Sequence, residues 1–179
     1  KCDYILIYRK SYSIFSYRRV RSTFRKAVNT QEMEKCMQQE ITRVALDAMG
    51  GDNAPGELVK GAVDAVNGRS DIKVLLVGQQ DVVEKELKQY SYPKEQIEVV
   101  HAEEVIETAE PPVNAIRKKK QSSIVVGMNM VKQKEADAFV SAGSSGAILV
   151  GGQVIVGRIR GIERPPLAPL IPTEKGVSL

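Results

Sequence analysis

The sequence is poor in the residues that build disulfide frameworks and metal centres. Of its 179 residues only two are cysteine and one is histidine. Both cysteines, Cys2 and Cys36, lie before position 41, which argues against a disulfide framework and fits a reducing, cytosolic setting. No His, Cys or acidic residues occur at metal-ligand spacing. We therefore predict neither a metal site nor a cofactor.

Further absences narrow the class of protein. No apolar run approaches the roughly 20 residues of a transmembrane helix, and the apolar stretch at residues 4–8 is too short for a secretory signal. A GxSxG elbow is missing, and residues 41–179 contain no cysteine, so a covalent intermediate has no evident carrier. GxGxxG and Walker sequences are also missing, which argues against dinucleotide and triphosphate binding.

The positive charge is confined to one end of the chain. The formal net charge is +4, yet residues 1–40 hold nine Lys/Arg and four Asp/Glu (9 − 4 = +5), and the remainder holds 17 and 18 (17 − 18 = −1). Six of the nine aromatic residues lie in the same segment. Such a shift in composition marks a junction. It predicts a basic, aromatic extension at 1–40 and a folded part at 41–179.

Three interpretations of residues 1–40 are open. The segment could be a basic arm for nucleic acid or a membrane surface, a targeting peptide, or upstream sequence foreign to the protein. We favour the third, with a start near Met33 or Met37, because consistent strand and helix patterns begin only at Ile41. On this interpretation we expect no nucleic-acid partner.

From Ile41 onwards strand and helix patterns alternate. Apolar strands are predicted at residues 41–47, 72–77, 97–100 and 138–140. Helices are predicted at 55–68, after an Asp81 cap, at 113–130 with a break allowed near Gln121, and at 146–156. The last is apolar all round and is therefore expected to be buried. Such alternation predicts an α/β fold, a mostly parallel sheet with helices on both faces.

The loop DAMGGDNAP, residues 47–55, has the composition of a ligand-binding turn. Asp47 ends a strand, Gly50 and Gly51 let the backbone approach a ligand, and a helix start follows. The same residues also fit a tight strand-to-helix turn in which Asp52 or Asn53 caps the helix. The pattern alone allows both interpretations.

A second loop, SAGSSGA at residues 141–147, joins a buried strand to a helix. Hydroxyls and unpaired backbone N–H groups at a helix N-terminus form an anion site, and phosphate is the usual ligand. The alternative is a serine-capped turn. The predicted phosphate-binding residues of this loop are Ser141, Gly143, Ser144, Ser145 and Gly146.

Two further features are weaker candidates. The run Arg117, Lys118, Lys119 and Lys120 could dock an acidic partner, although such runs are more often a solvated helix face. His101 follows the third strand and could act as a general base. The sequence places no carboxylate or cysteine beside it, so an ordinary strand-end histidine is the simpler interpretation.

Five strings, in one order over residues 41–172, together resemble the bacterial acyl-ACP:phosphate acyltransferase family, where ACP is the acyl carrier protein. The combination is specific, although no single string is. The strings are VALDAMGGDNAP (44–55), HAEEVI (101–106), IRKKKQSSI (116–124), FVSAGSSGA (139–147) and GRIRGIERPPLAP (157–169). The family usually has Thr at the position of Ser145 and Ala at that of Pro166. The hydroxyl at 145 is kept.

The resemblance implies a fold similar to isocitrate and isopropylmalate dehydrogenases, and a homodimer. It implies transfer of a fatty acyl group from acyl-ACP to inorganic phosphate, which gives acyl phosphate for phospholipid synthesis. The expected location is the cytoplasm, with peripheral contact at the inner face of the membrane.

The resemblance also implies roles for individual residues. Phosphate would be held by the 141–146 turn, with Ser144, Ser145 and the guanidinium of Arg164 as the catalytic groups, since Arg matches phosphate oxygens bidentately. Gly50 and Gly51 would complete the phosphate pocket. Because a bare carboxylate repels phosphate, Asp47, Asp52 and Asn53 would shape the loop, and the 117–120 run would receive the acidic carrier protein.

Members of the family continue well beyond the point matching Leu179, so we expect residues 41–179 to correspond to its N-terminal portion. An isolated portion would leave an unpaired sheet edge and exposed apolar surface, and we expect it to be poorly stable and inactive. Two alternatives stay open. One is a short-chain phosphate acyltransferase that uses coenzyme A thioesters, and the other is a non-catalytic anion-binding module whose basic arm contacts nucleic acid or lipid.

Overall fold

A computed structural model describes residues 41–163, together with the backbone of three short strands at 5–8, 171–173 and 176–178. Most of the predicted extension at 1–40 lies outside the described residues, so its interpretation stays a prediction. Arg164 and Pro166 lie outside them as well.

Five strands form one sheet in the spatial order β1-β5-β2-β3-β4. Strands β2 to β5 are parallel to one another, and β1 is antiparallel to β5. The strands are β1 (Ile5–Tyr8), β2 (Thr42–Asp47), β3 (Ile72–Gly78), β4 (Ile97–His101) and β5 (Ala138–Ser141). The predicted parallel sheet is confirmed, whereas β1 was not predicted. Strands β6 (Ile171–Thr173) and β7 (Gly176–Ser178) form a separate antiparallel pair.

Within residues 41–163, five α-helices connect or follow the parallel strands. They are α1 (Gly56–Gly68), α2 (Gln80–Leu87), α3 (Pro112–Lys118), α4 (Ser123–Gln133) and α5 (Ser145–Gly151), and a π-helical turn (Gly152–Val156) extends α5. A 3₁₀ turn (Lys94–Gln96) precedes β4. The allowed break near Gln121 is confirmed by the separation of α3 from α4. Within the part of the chain that is described, no helix is long and apolar enough to cross a bilayer.

The helices cover both faces of the sheet, as predicted. Alternate residues of β3 point to opposite faces because side chains alternate along a strand. On one face Leu76 packs with Val59 of α1 and Val83 of α2. On the other, Leu75 belongs to the cluster of Phe139, Met128 and Ile148, from β5, α4 and α5. The sheet is thus the middle layer of three.

Two suggestions from the sequence about helix caps were wrong. Asp81 does not cap α2, because Gln79 holds the cap position. Neither Asp52 nor Asn53 caps α1, where the cap position falls on Pro55, a residue without a side-chain acceptor.

The apolar segment at 146–156 is not buried all round. Its regular α-helix ends at Gly151, and Val154 in the following π-turn is 70% exposed. Ala147, Ile148 and Gly151 face inwards, where a Cβ added at Gly151 would collide with Met128 of α4. Only one side of the segment packs on the described residues, so an apolar sequence here does not mean a buried helix.

Candidate functional site

Strand β2 lies at the point where the order of the sheet reverses. The chain moves from β2 to β3 and β4 on one side, and then returns to place β5 on the other side of β2. At such a point the loops that follow the two neighbouring strands diverge and leave a crevice, which is where ligands bind in open α/β sheets. The two loops singled out in the sequence follow β2 and β5.

These two loops touch each other. A Cβ built on Gly50 would lie 2.5 Å from Asp47 Oδ2, 2.8 Å from the Gly143 nitrogen and 2.9 Å from Ser141 Oγ. Gly51 has φ +97° and its Cβ direction points at Ala142, 3.2 Å away. Only glycine gives the space at Gly50 and the left-handed backbone at Gly51 without strain. The pair therefore lets the loops pack backbone against backbone.

Asp47 is the centre of this contact and is almost completely buried. Its Oδ2 accepts a hydrogen bond from Ser141 Oγ at 2.7 Å, and its Oδ1 accepts one from the Met49 N–H at 3.0 Å. Burial raises the pKa of the Asp47 carboxyl, while hydrogen bonds from Ser141, Ser123, Met49 and Gly50 oppose the shift without cancelling it. A carboxylate with this many donors fixes the loop around it.

Ser141 and Gly143 are engaged inside the protein. The Ser141 hydroxyl donates to Asp47 and also accepts the Gly143 N–H at 3.0 Å. The backbone N–H of Gly50 points to Asp47 as well. We predicted phosphate contacts at all three residues, but these groups already have partners. Their position favours shaping of the two loops over direct contact with a ligand.

Ser144, Ser145 and Gly146 follow this network at the start of α5, where Ser144 is buried. Ser144 caps α5, since its Oγ accepts the Ala147 N–H at 3.4 Å. Ser145 begins the helix and is exposed. Among the described residues no group accepts the N–H of Ser145 or Gly146. Two N–H donors and two hydroxyls thus converge at one helix start, an arrangement suited to an anion.

Asp52 and Asn53 are exposed, away from the buried Asp47 network. The contact of this segment with α1 is a backbone one, from the Glu57 N–H to the Asn53 carbonyl at 3.3 Å. A role of their side chains in shaping the loop stays a prediction. Arg164, the proposed cationic partner of phosphate, lies outside the described residues.

Ser122 and Ser123, which were not predicted as site residues, bring a third helix start to the site. Ser122 caps α4 by accepting the Val125 N–H at 3.4 Å, and the buried Ser123 hydroxyl bonds Asp47. Glu104 holds this end of α4, because its carboxylate accepts the Gln121 N–H at 3.1 Å. A serine before an apolar run is a helix-start signal. It would have located the cap, although not the bond to Asp47.

The basic run at 117–120 does not form one uniform surface. The Lys119 ammonium donates to the Val105 carbonyl at 2.7 Å and pairs with Glu110 at 2.5 Å, and this pairing lowers the pKa of the Glu110 carboxyl. Arg117, Lys118 and Lys120 are exposed. Lys119 therefore ties the 105–110 loop to the end of α3, whereas the other three cations face solvent.

The loop held by Lys119 leads to the start of α3, which lies beside the site. Pro112 begins α3 and lies against the first turn of α5, where a Cβ on Gly146 would be 2.7 Å from Pro112 Cγ. Pro112 thus packs against the helix start from one side. The contact explains the glycine at position 146, because any larger side chain there would collide with Pro112.

His101 stands apart from these loops. It ends β4 and pairs with Gly78 at the end of β3, so that β3 lies between it and β2. Within the described residues no three His, Cys, Asp or Glu side chains come together as metal ligands would. The chemistry that the site can offer is therefore that of hydroxyl and N–H donors around a buried carboxylate.

Comparison with known proteins adds an independent finding. A family model described as "Fatty acid synthesis protein" matches residues 42–179. Proteins named "Phosphate acyltransferase" are similar to this chain in several bacteria. The one from Alkaliphilus oremlandii is 54% identical over 137 residues, and that from Clostridium beijerinckii 51% identical over 134 residues. The one from Thermoanaerobacter pseudethanolicus is 45% identical over 137 residues.

The similarity covers most of this chain and less than half of each relative. The three alignments take in 76%, 75% and 76% of this chain, and 41%, 40% and 40% of the respective relatives. The chain thus spans about two fifths of the length of the phosphate acyltransferases it matches. The matched part contains both loops and all the described helices.

Proposed function

This chain belongs to the fatty acid synthesis protein family, and on that premise we propose that it carries the phosphate site of an acyltransferase. The proposed reaction moves a fatty acyl group from acyl-ACP to inorganic phosphate and yields acyl phosphate for phospholipid synthesis. The names of its relatives support phosphate as the acceptor. The observation that carries the proposal is the meeting of the two glycine loops beside the N–H groups of Ser145 and Gly146, which have no acceptor among the described residues.

In the proposed reaction a phosphate oxygen attacks the thioester carbonyl carbon. A tetrahedral oxyanion forms, the carbon–sulfur bond breaks, and the carrier leaves as a thiolate that takes up a proton. Phosphate already supplies the nucleophilic oxygen, so the protein has two tasks, positioning phosphate and stabilising the oxyanion. Direct transfer also fits the lack of cysteine in residues 41–179.

We assign the phosphate contacts to the start of α5. The N–H groups of Ser145 and Gly146 and the hydroxyls of Ser144 and Ser145 would donate to phosphate oxygens. Arg164 would add a positive charge and a bidentate contact. Gly50, Gly51, Ser141 and Gly143 would form the wall behind them, held by Asp47.

The other expectations from the resemblance belong to the same proposal. The acidic carrier would dock on the exposed cations of the 117–120 run. The complete protein would be a cytoplasmic homodimer with an isocitrate or isopropylmalate dehydrogenase-like fold, in peripheral contact with the membrane. The alternative, a short-chain phosphate acyltransferase that uses coenzyme A thioesters, differs in the length of the acyl chain and in the thiol that leaves.

Two measurements test the proposal. Isothermal titration with inorganic phosphate should show binding that Ser145→Ala weakens, with sodium chloride of equal ionic strength as the control for unspecific screening. Acyl phosphate formation by the complete protein with labelled phosphate should then be compared between palmitoyl-ACP and acetyl-CoA. If the chain binds no phosphate, the proposed site is wrong. If acetyl-CoA is the better donor, the short-chain alternative replaces the carrier-bound substrate.

A further inference from the structure

The segment that leads from β4 to α3, residues 104–112, connects two of the helix starts at the site. At one end the Glu104 carbonyl accepts the Ser123 N–H, the first of α4, at 3.2 Å. At the other end Pro112 lies against Gly146 in the first turn of α5. A change in the course of this segment would therefore move one helix start relative to the other.

Apolar packing does not fix the second half of the segment. Ile106 is buried in the core, but residues 107–109 are exposed. The turn that they form is closed by Glu110, whose N–H donates to the Glu107 carbonyl at 3.2 Å and whose carboxylate accepts the Glu107 N–H at 2.8 Å. The polar contacts of Glu110 therefore set the position from which the chain enters Pro112.

Lys119 holds this turn from the end of α3. Its ammonium donates to the Val105 carbonyl at 2.7 Å and to Glu110 Oε1, the same oxygen that accepts the Glu107 N–H. The side chains of Lys119 and Glu110 are only 30% and 28% exposed, so salt screens their attraction less than that of a fully solvated pair. Lys119 thus contacts the segment both before and after its exposed turn.

We propose that Lys119, through Glu110, is a positioning residue for the start of α5. It fixes Pro112 against Gly146 and so orients the N–H groups of Ser145 and Gly146. Pro112 transmits the effect because a Cβ on Gly146 would lie 2.7 Å from its Cγ, and close-packed groups pass a displacement on to their neighbours. The consequence for phosphate rests on the proposed function, which assigns these N–H groups to phosphate oxygens.

Backbone amide NMR signals test the positioning role without any ligand. In the full chain we expect Lys119→Met to shift the amide signals of Ser145 and Gly146, because methionine keeps the apolar stem but removes the charge and the donors. Lys119→Arg keeps a cationic donor and should leave both signals close to those of the wild type.

Arg43→Met is the matched control, because it removes the same kinds of contact at the opposite edge of the sheet. Arg43 donates to the Lys134 carbonyl at 2.8 Å and pairs with Asp137 at 3.5 Å. It lies at the amino end of β2, whereas the site lies at the carboxyl ends of the strands. We expect this variant to lose stability as well, but not to shift the amide signals of Ser145 and Gly146.

Phosphate titration then tests the consequence for binding. Lys119→Met should weaken the affinity for inorganic phosphate roughly twofold to tenfold, the range expected when one hydrogen bond is lost. Arg43→Met should leave the affinity unchanged, and Lys119→Arg should restore most of it. All titrations are carried out well below the melting temperature of the least stable variant, so that loss of folded protein does not count as loss of affinity.

The possible failures can be told apart. Unchanged Ser145 and Gly146 signals in Lys119→Met would overturn the positioning role, as would equal shifts in Lys119→Met and Arg43→Met. A wild-type phosphate affinity that Lys119→Met leaves unchanged would also overturn it. If the signals shift as expected but the wild type binds no phosphate, Lys119 positions the helix start and the proposed phosphate site is wrong.

Discussion

The hydroxyl of Ser141 donates a 2.7 Å hydrogen bond to the carboxylate of Asp47, from a position 94 residues further along the chain. The two residues end neighbouring parallel strands, β5 and β2. Because both are buried, water cannot replace either partner if the other is lost. This bond makes the shape of one loop depend on the shape of the other.

Replacing Gly50 by alanine should disturb both loops at once. The new methyl group would lie 2.5 Å from Asp47 Oδ2 and 2.8 Å from the Gly143 nitrogen, and overpacking of this kind costs about 1–3 kcal/mol. We expect a lower urea midpoint and weaker phosphate binding. Gly61→Ala in α1 is the control, because nothing lies within 4 Å of its Cβ position. If Gly50→Ala and Gly61→Ala have equal stability, the loops are not packed as described.

The stability of the chain should depend on the protonation of Asp47. Burial raises its pKa above the unfolded value near 3.8, so the folded state binds this proton more tightly than the unfolded state. The charged form therefore costs stability at neutral pH, and the cost is lost as the pH falls through the folded pKa. Relative to Asp47→Asn, the wild type should gain stability between neutral pH and about pH 4. Urea midpoints that run parallel for the two proteins across this range would contradict the prediction.

Ser144 and Ser145 should respond differently to alanine. Ser144→Ala removes the cap of α5, which costs about 1 kcal/mol, and also removes one proposed phosphate contact. Ser145→Ala removes only the proposed contact, since Ser145 is exposed. We therefore expect both variants to bind phosphate more weakly and only Ser144→Ala to lower the melting temperature. A stability loss in Ser145→Ala with unchanged phosphate affinity would reverse the assigned roles.

Lys119→Met should destabilise the chain, because it removes the hydrogen bond to the Val105 carbonyl and the ion pair with Glu110. Methionine keeps the apolar stem, so packing is largely preserved. Lys118→Met is the matched control, an exposed neighbour whose loss should be close to neutral. Denaturation curves of the two variants decide the matter, and equal curves would mean that the Lys119 contacts contribute nothing measurable.

The parallel sheet and the meeting of the two loops could be predicted from the sequence. A short continuous apolar run such as 72–77 is typical of a strand in a parallel sheet that is covered on both faces. Once β2 and β5 are strands of one parallel sheet, their carboxyl ends lie at the same edge, which brings Asp47 close to Ser141. Local patterns and one rule of topology were sufficient for this part.

Features that depend on tertiary partners could not be predicted. Strand β1 has four residues in a segment without a sustained pattern, and it is defined by its pairing with β5. The bond between Ser123 and Asp47 depends on where α4 docks. Lys118 and Lys119 have similar neighbours in the sequence, yet only Lys119 lies close enough to Glu110 to form an ion pair. Such distances depend on the folded structure and cannot be inferred from neighbouring residues in the sequence.

The position of β5 beside β2 also has a consequence for the order in which the chain can fold. Strands β2, β3 and β4 are consecutive and can pair in sequence, whereas β5 must close a loop of about ninety residues before it reaches β2. Non-local pairing of this kind is slow to form. An intermediate built from β2 to β4 would therefore already have a hydrophobic core, but it would lack the second loop of the proposed phosphate site until β5 arrived.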